Sequence, residues 1–187
     1  QYLIMGSVGA TFIVIGIGLM YVMTGTLNMA DLAEIFPQLE ANRTIPVAFT
    51  FLTVGITLKL ALFPLHMWLP NAYTYAPSAV TAFIASTATK VAVYLLLRFF
   101  FTVFGAEFSF DVMQLDRILM PLALLAILTM SLVAIYQEDV KRLLAYSSVA
   151  QIGYMVLGIS FASALGLTAG ILHLFNHALM KGALFMA

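Results

Sequence analysis

The stretch "LKLALFPLHMW" at residues 58–68 holds three residues that an ordinary hydrophobic core rejects. Lys59 lies among aliphatic side chains, Pro64 follows five residues later, and His66 comes directly behind it. Proline inside a helix removes one backbone hydrogen bond and frees the carbonyl about one turn before it. At membrane depth such a carbonyl is tolerated only where protein or trapped water satisfies it, and broken helices mark ion sites in transporters. The stretch therefore predicts a membrane helix broken at Pro64, with a charged side chain beside the break.

Composition says why the solvent is lipid. Of 187 residues, 63% are hydrophobic and 9% charged, and the mean hydropathy is +1.06. Soluble domains carry roughly 25% charged residues, so this chain has too few to cover a water-facing surface. A net charge of +0 argues against a nucleic-acid partner, which demands a surplus of Lys and Arg. With no cysteine, disulfides, thiolate metal sites and iron–sulfur clusters are excluded. The chain begins at Gln1 and stops inside the apolar run "LMKGALFMA", and it reads as a piece of a longer polytopic protein.

Crossing about 30 Å of hydrocarbon takes about 20 apolar residues as a helix. The expected fold class is all-α, a polytopic membrane helix bundle forming a single transmembrane domain over 1–187. Six spans are expected, at 3–24, 45–69 (broken at Pro64), 77–104, 118–136, 143–161 and 165–187. Residues 25–44, "GTLNMADLAEIFPQLEANRT", form a polar connector with acids at Asp31, Glu34 and Glu40. Residues 71–76 are expected as a turn, and Pro77 suits a helix start. In "QEDVKR", at 137–142, acids precede a helix start and Lys141 and Arg142 are placed to meet lipid headgroups.

The charges are distributed unevenly. Every carboxylate falls in a connector or at a helix end, whereas several bases do not. Lys59 lies about 20 Å along its helix from Ile45 at 1.5 Å per residue, and Lys90 is similarly deep in the third span. His173, His177 and Lys181 stand at i, i+4 and i+8 of the last span, on one helix face. A lysine at mid-membrane costs on the order of 3 kcal/mol and is rare unless it faces a wet or paired interior. Snorkelling to the interface accounts for Arg98 in "RFFF", but not for Lys59 and Lys90. Either these lysines are neutral, or their carboxylate comes from a segment or subunit outside this chain; both situations suit a group that takes and releases protons.

Other residues admit more than one reading. His66, with an ordinary pKa of about 6.5, is either a proton relay or an interfacial histidine beside Trp68. The His173/His177 pair has the spacing of a zinc site, but no third ligand is apparent, and haem ligation needs an opposing axial residue. A proton-relaying face continued by Asn176 and Lys181 fits better, beside plain interhelical hydrogen bonding. Ser78, Thr81, Ser86, Thr87 and Thr89 read as helix–helix contacts. No cofactor and no metal is expected, and no sodium site is evident because hard cations take oxygen ligands. A haem- or quinone-binding redox subunit and a structural spacer are the rival classes.

The segments "KLALFPLHMWLPNAYTYAPSAVTAFIASTATKVAVYLLLRF", "QEDVKRLLAYSSVAQIGYMVLGI" and "GILHLFNHALMKGALFMA" resemble the antiporter-like membrane subunits. These comprise large subunits of Mrp-type cation/proton antiporters and proton-pumping subunits of respiratory complex I and related hydrogenases. Within them, "MGSVGATFIVIGIGLMYVMTGTLNMADLAE" is most similar to the D-type subunit of the Mrp antiporters. The resemblance implies an inverted-repeat fold of about fourteen helices, of which this chain matches the sixth through eleventh. It implies that Lys59 is the lysine of the broken seventh helix, paired with a glutamate of the fifth helix that has no counterpart here. It implies that Lys90 is a linking lysine and that His173, His177 and Lys181 are a relay. The implied activity is proton translocation in exchange for a cation such as Na+, by a transporter subunit rather than an enzyme. Complex I is the alternative assembly, in which the subunit belongs to a proton-translocating NADH–quinone oxidoreductase. The implied partners are other membrane subunits and lipid, and the implied location is the cell membrane of a prokaryote.

Overall fold

A computed structural model describes residues 2–39 and 42–187. Glu40, one of the connector acids, lies outside the described residues. Among the described residues eight α-helices follow one another: α1 Tyr2–Thr24, α2 Met29–Ile35, α3 Thr44–Leu60, α4 Leu69–Tyr75, α5 Ser78–Leu97, α6 Leu115–Ile135, α7 Val140–Ser160 and α8 Ala164–Met186. A 3-10 turn at Phe36–Gln38 follows α2, and π-helical turns cover Arg98–Val103 and Glu107–Val112. The chain is thus an all-helical membrane bundle among the described residues. Four of the described stretches are long and apolar enough to cross a membrane: Tyr2–Thr24, Ser78–Val103, Leu115–Ile135 and Val140–Ser160. Of the remaining expected spans, α3 has only 17 residues, and α8 is diluted by His173, Asn176, His177 and Lys181.

Helix packing follows the small residues, as it must where lipid supplies no hydrophobic drive between helices. Helix α1 packs along α3, α6 along α7, and α8 against both α5 and α7. A Cβ placed on Gly55 of α3 would lie 2.9 Å from the Gly9 carbonyl oxygen of α1. One placed on Gly158 of α7 would lie 2.8 Å from the Gly166 carbonyl oxygen of α8. These two seams therefore bring backbones into contact that any larger residue would separate. Beyond Arg98, α5 ends in a plug of phenylalanines: Phe49 meets Phe104 edge-on at 4.9 Å and Phe36 meets Phe108 at 4.9 Å. The Ser109 hydroxyl donates to the Phe100 carbonyl at 3.0 Å within the first π turn.

The broken helix differs from its expected form. Helix α3 stops at Leu60, four residues before Pro64, because Ala61 takes a left-handed conformation with φ 61°. The Ala61 N–H donates to the Leu58 carbonyl and the Leu62 N–H to the Thr57 carbonyl, the paired closure of a Schellman motif. Pro64 lies inside the following turn, and its peptide bond with Phe63 is cis. The chain resumes helix at Leu69, not as the expected turn over 71–76. Pro70 occupies the first turn of this half-helix, where its missing N–H costs nothing.

Candidate functional site

Helix α5 carries Lys90 into the seam with α8, and the side chain is 7% exposed. Helical side chains lean toward the helix N-terminus, and the ammonium reaches back to donate to the Ala85 carbonyl. It also donates to the Thr89 hydroxyl oxygen at 3.3 Å. From α8, Lys181 crosses to α7, where Nζ donates to the Leu144 carbonyl at 2.9 Å and to Ser147 Oγ at 3.1 Å. Both buried lysines are thus held by neutral oxygens.

One turn before Lys181 on α8, His177 has 0% exposure and neither ring nitrogen hydrogen-bonded. Its ring stacks on that of His173 one turn earlier, with centroids 6.2 Å apart and planes 4° from parallel. His173 Nε2 is also buried without a partner, and Tyr154 of α7 borders the ring at 5.9 Å. Lys90 is near enough to act electrostatically on both histidines, and Lys181 on Lys90. A buried polar atom left unpaired costs about 1–3 kcal/mol. Three such atoms lie on these two adjacent rings.

Lys59 stands apart from this cluster. It lies in the last turn of α3, where the helix dipole is negative and favours a cation. It is exposed at the surface of the described chain, on a cavity of about 480 Å³ lined by Tyr2, Ser7, Leu58, Trp68, Ile84 and Ala88. Among the described residues no hydrogen bond or ion pair engages it. Ile84 and Ala88 belong to α5, so this one helix presents one face to Lys59 and carries Lys90 on another. The expected helix over 45–69 is corrected just past Lys59, where α3 ends at Leu60. His66 is buried at 4% exposure, stacked on Phe63 at 5.4 Å and facing Tyr146 of α7 at 6.5 Å. Its Nδ1 falls short of a hydrogen bond, with the Pro64 backbone beside it.

Several residues at the break escaped the sequence reading. Trp68 Nε1 donates to the Leu58 carbonyl at 2.9 Å, so an indole satisfies the region that proline was expected to leave open to water. Lys141, expected at lipid headgroups, donates instead to the Ala76 carbonyl at 3.1 Å, capping the C-terminus of α4. The Thr81 hydroxyl donates to the Tyr73 carbonyl at 3.0 Å. Of the hydroxyls expected to join helices, Ser86 and Thr87 bond back to their own helix, at Ala82 and Phe83. Only the presence of a polar group at each position was visible in sequence; its partner was not.

Comparison with known proteins shows the family of the chain. The family described as NADH:quinone oxidoreductase/Mrp antiporter, TM, matches residues 1–187. The N-type subunit of the NADH-quinone oxidoreductase of Desulforudis audaxviator is 46% identical over 99% of this chain and 36% of that protein. The D-type subunit of the Na(+)/H(+) antiporter of Alkalihalophilus pseudofirmus is 33% identical over 100% of this chain and 37% of that protein. A chain in the structure of the Mrp complex from Dietzia sp. DQ12-45-1b superposes with a TM-score of 0.88 at 30% identity, covering 99% of this chain and 33% of that one. The chain spans about a third of the length of the curated relatives it matches. It belongs to the NADH:quinone oxidoreductase/Mrp antiporter transmembrane family.

Proposed function

We propose that this chain forms the proton-carrying part of a membrane transporter subunit, moving protons among Lys90, His177, His173 and Lys181. The observation that supports this most is the unpaired, fully buried His177 ring in a bundle whose two buried lysines bond only to neutral oxygens. Lys59 and His66 are the proposed entry groups, on the cavity side of α5 and at the helix break. The charge that answers Lys59 is proposed to come from a carboxylate outside this chain. The subunit is one of several in a complex of a prokaryotic cell membrane, and an Mrp-type assembly would exchange the protons for Na+.

A second assembly is favoured by the relative that is 46% identical and named for NADH–quinone oxidoreductase. There the same proton path would be driven by a redox enzyme. Affinity purification separates the two. Nicotinamide- and iron–sulfur-binding subunits copurify in the redox assembly, and only membrane subunits in the antiporter. The path itself is tested by proton uptake in everted vesicles holding the full-length protein with its partner subunits. Lys59→Ala and Lys90→Ala are expected to abolish uptake with assembly intact. Undiminished uptake in both would reduce the cluster to architecture.

A further inference from the structure

Lys181 is held on α7 by two unlike oxygens. Its side chain is 3% exposed, and Nζ donates to the Leu144 carbonyl at 2.9 Å and to Ser147 Oγ at 3.1 Å. The carbonyl is not reserved for the lysine. The Ser148 hydroxyl donates to it at 2.9 Å, and inside α7 it also serves the backbone N–H four residues on. A carbonyl has two lone pairs, so three donors crowd this one oxygen. Ser147 Oγ, by contrast, accepts from Lys181 alone among the described residues.

The two oxygens also differ in what they can do when a proton moves. An ammonium has three donors and no acceptor, so a carbonyl and a hydroxyl serve it alike. Once neutral, the amine has two donors and a lone pair, and a carbonyl has no proton to offer that lone pair. A serine hydroxyl is both donor and acceptor and turns to suit its neighbour. We infer that Ser147 is a positioning residue for Lys181, its hydroxyl accepting from the ammonium and donating to the amine, so that the side chain stays on α7 in both protonation states. Without that hydroxyl the neutral amine buries an unpaired lone pair, and the ammonium is left with only the crowded carbonyl. The helix seam supplies the short reach this needs. A Cβ placed on Gly170 of α8 would lie 3.2 Å from the Met155 carbonyl oxygen of α7, and the two helices stay packed about three turns further on, at Lys181 and Ser147.

The inference rests on Lys181 carrying protons, and the test separates the two claims. Everted vesicles with the full-length protein and its partner subunits are compared as wild type, Ser147→Ala, Ser147→Val, Ser147→Thr, Ser148→Ala and Lys181→Met. Ser147→Ala and Ser147→Val are each expected to slow initial proton uptake about tenfold, the scale of one hydrogen bond to a charged group. Ser147→Thr, which has the shape of the valine variant but keeps the hydroxyl, should return uptake to near the wild-type rate. Ser148→Ala should also stay near wild type, because that hydroxyl bonds to its own helix and not to the lysine. The complex should assemble in every variant. Wild-type uptake by Ser147→Ala while Lys181→Met is inactive overturns the inference alone. So does a slow Ser147→Thr, an equal slowing by Ser148→Ala, or loss of assembly in both Ser147→Ala and Ser147→Val, which would make the hydroxyl structural. Full uptake by Lys181→Met removes Lys181 from the proton path and overturns this inference with it.

Discussion

Trp68 reaches back ten residues to place its indole N–H 2.9 Å from the Leu58 carbonyl oxygen, spanning the gap between the two halves of one helix. The same ring contacts Tyr2 of α1 at 5.4 Å and forms part of the cavity wall beside Lys59. The indole therefore bridges the break and at the same time walls the cavity that Leu58 and Lys59 line.

Replacing that indole exposes the cost of the break. Trp68→Phe keeps an aromatic ring but removes the donor, and should destabilise the purified assembly by about 1 kcal/mol. A thermal melt of the detergent-solubilised complex measures it. An unchanged midpoint would mean that the Ala61 N–H alone suffices for Leu58.

Lys141 offers a second probe of the same half-helix. Lys141→Met removes a charged donor from the Ala76 carbonyl, a bond between residues 65 positions apart. Amide hydrogen exchange over residues 71–76 should quicken, by about tenfold or more for a bond to a charged group. Lys141→Arg should restore part of the protection. Exchange that stays at the wild-type rate in Lys141→Met would place the anchoring of α4 elsewhere, with Thr81 the next candidate.

The glycine seams set a steric limit. Gly158→Leu must push α7 and α8 apart, since even its Cβ meets the Gly166 carbonyl oxygen at 2.8 Å. Overpacking of this kind costs about 1–3 kcal/mol, and the yield of assembled complex should fall accordingly. Gly18→Ala is the matched control, with nothing within 4 Å of the new methyl group. Equal yields from the two variants would show that the seam can yield.

His177 should separate stability from transport. His177→Leu removes two unpaired ring nitrogens from a fully buried position, so the melting midpoint should hold or rise. Proton uptake in vesicles should be lost. A variant that is less stable yet still transports would show that the ring is there to pack.

How much of this was legible in the sequence depends on the range over which each feature is decided. Hydropathy is a sum over a span, and it identified lipid as the solvent without any partner. The 3.6-residue period is local too, and it placed His173, His177 and Lys181 on one face. The clash of Lys59 with Pro64 announced a broken helix. It did not locate the break, because Ala61 ends α3 by a left-handed turn that alanine adopts only when the surrounding packing imposes it. Nor did any local pattern show that Lys90, rather than Lys59, joins the histidines. That choice follows from which face of α5 packs on α8. The bonds from Trp68, Lys141 and Lys181 run 10, 65 and 37 residues along the chain, and in each a long side chain finds a carbonyl that only tertiary packing brings within reach. Sequence by itself determined which groups are too polar for the lipid; the packing of the helices decided what each of them would touch, because a polar group in a membrane takes whatever partner the neighbouring helix offers.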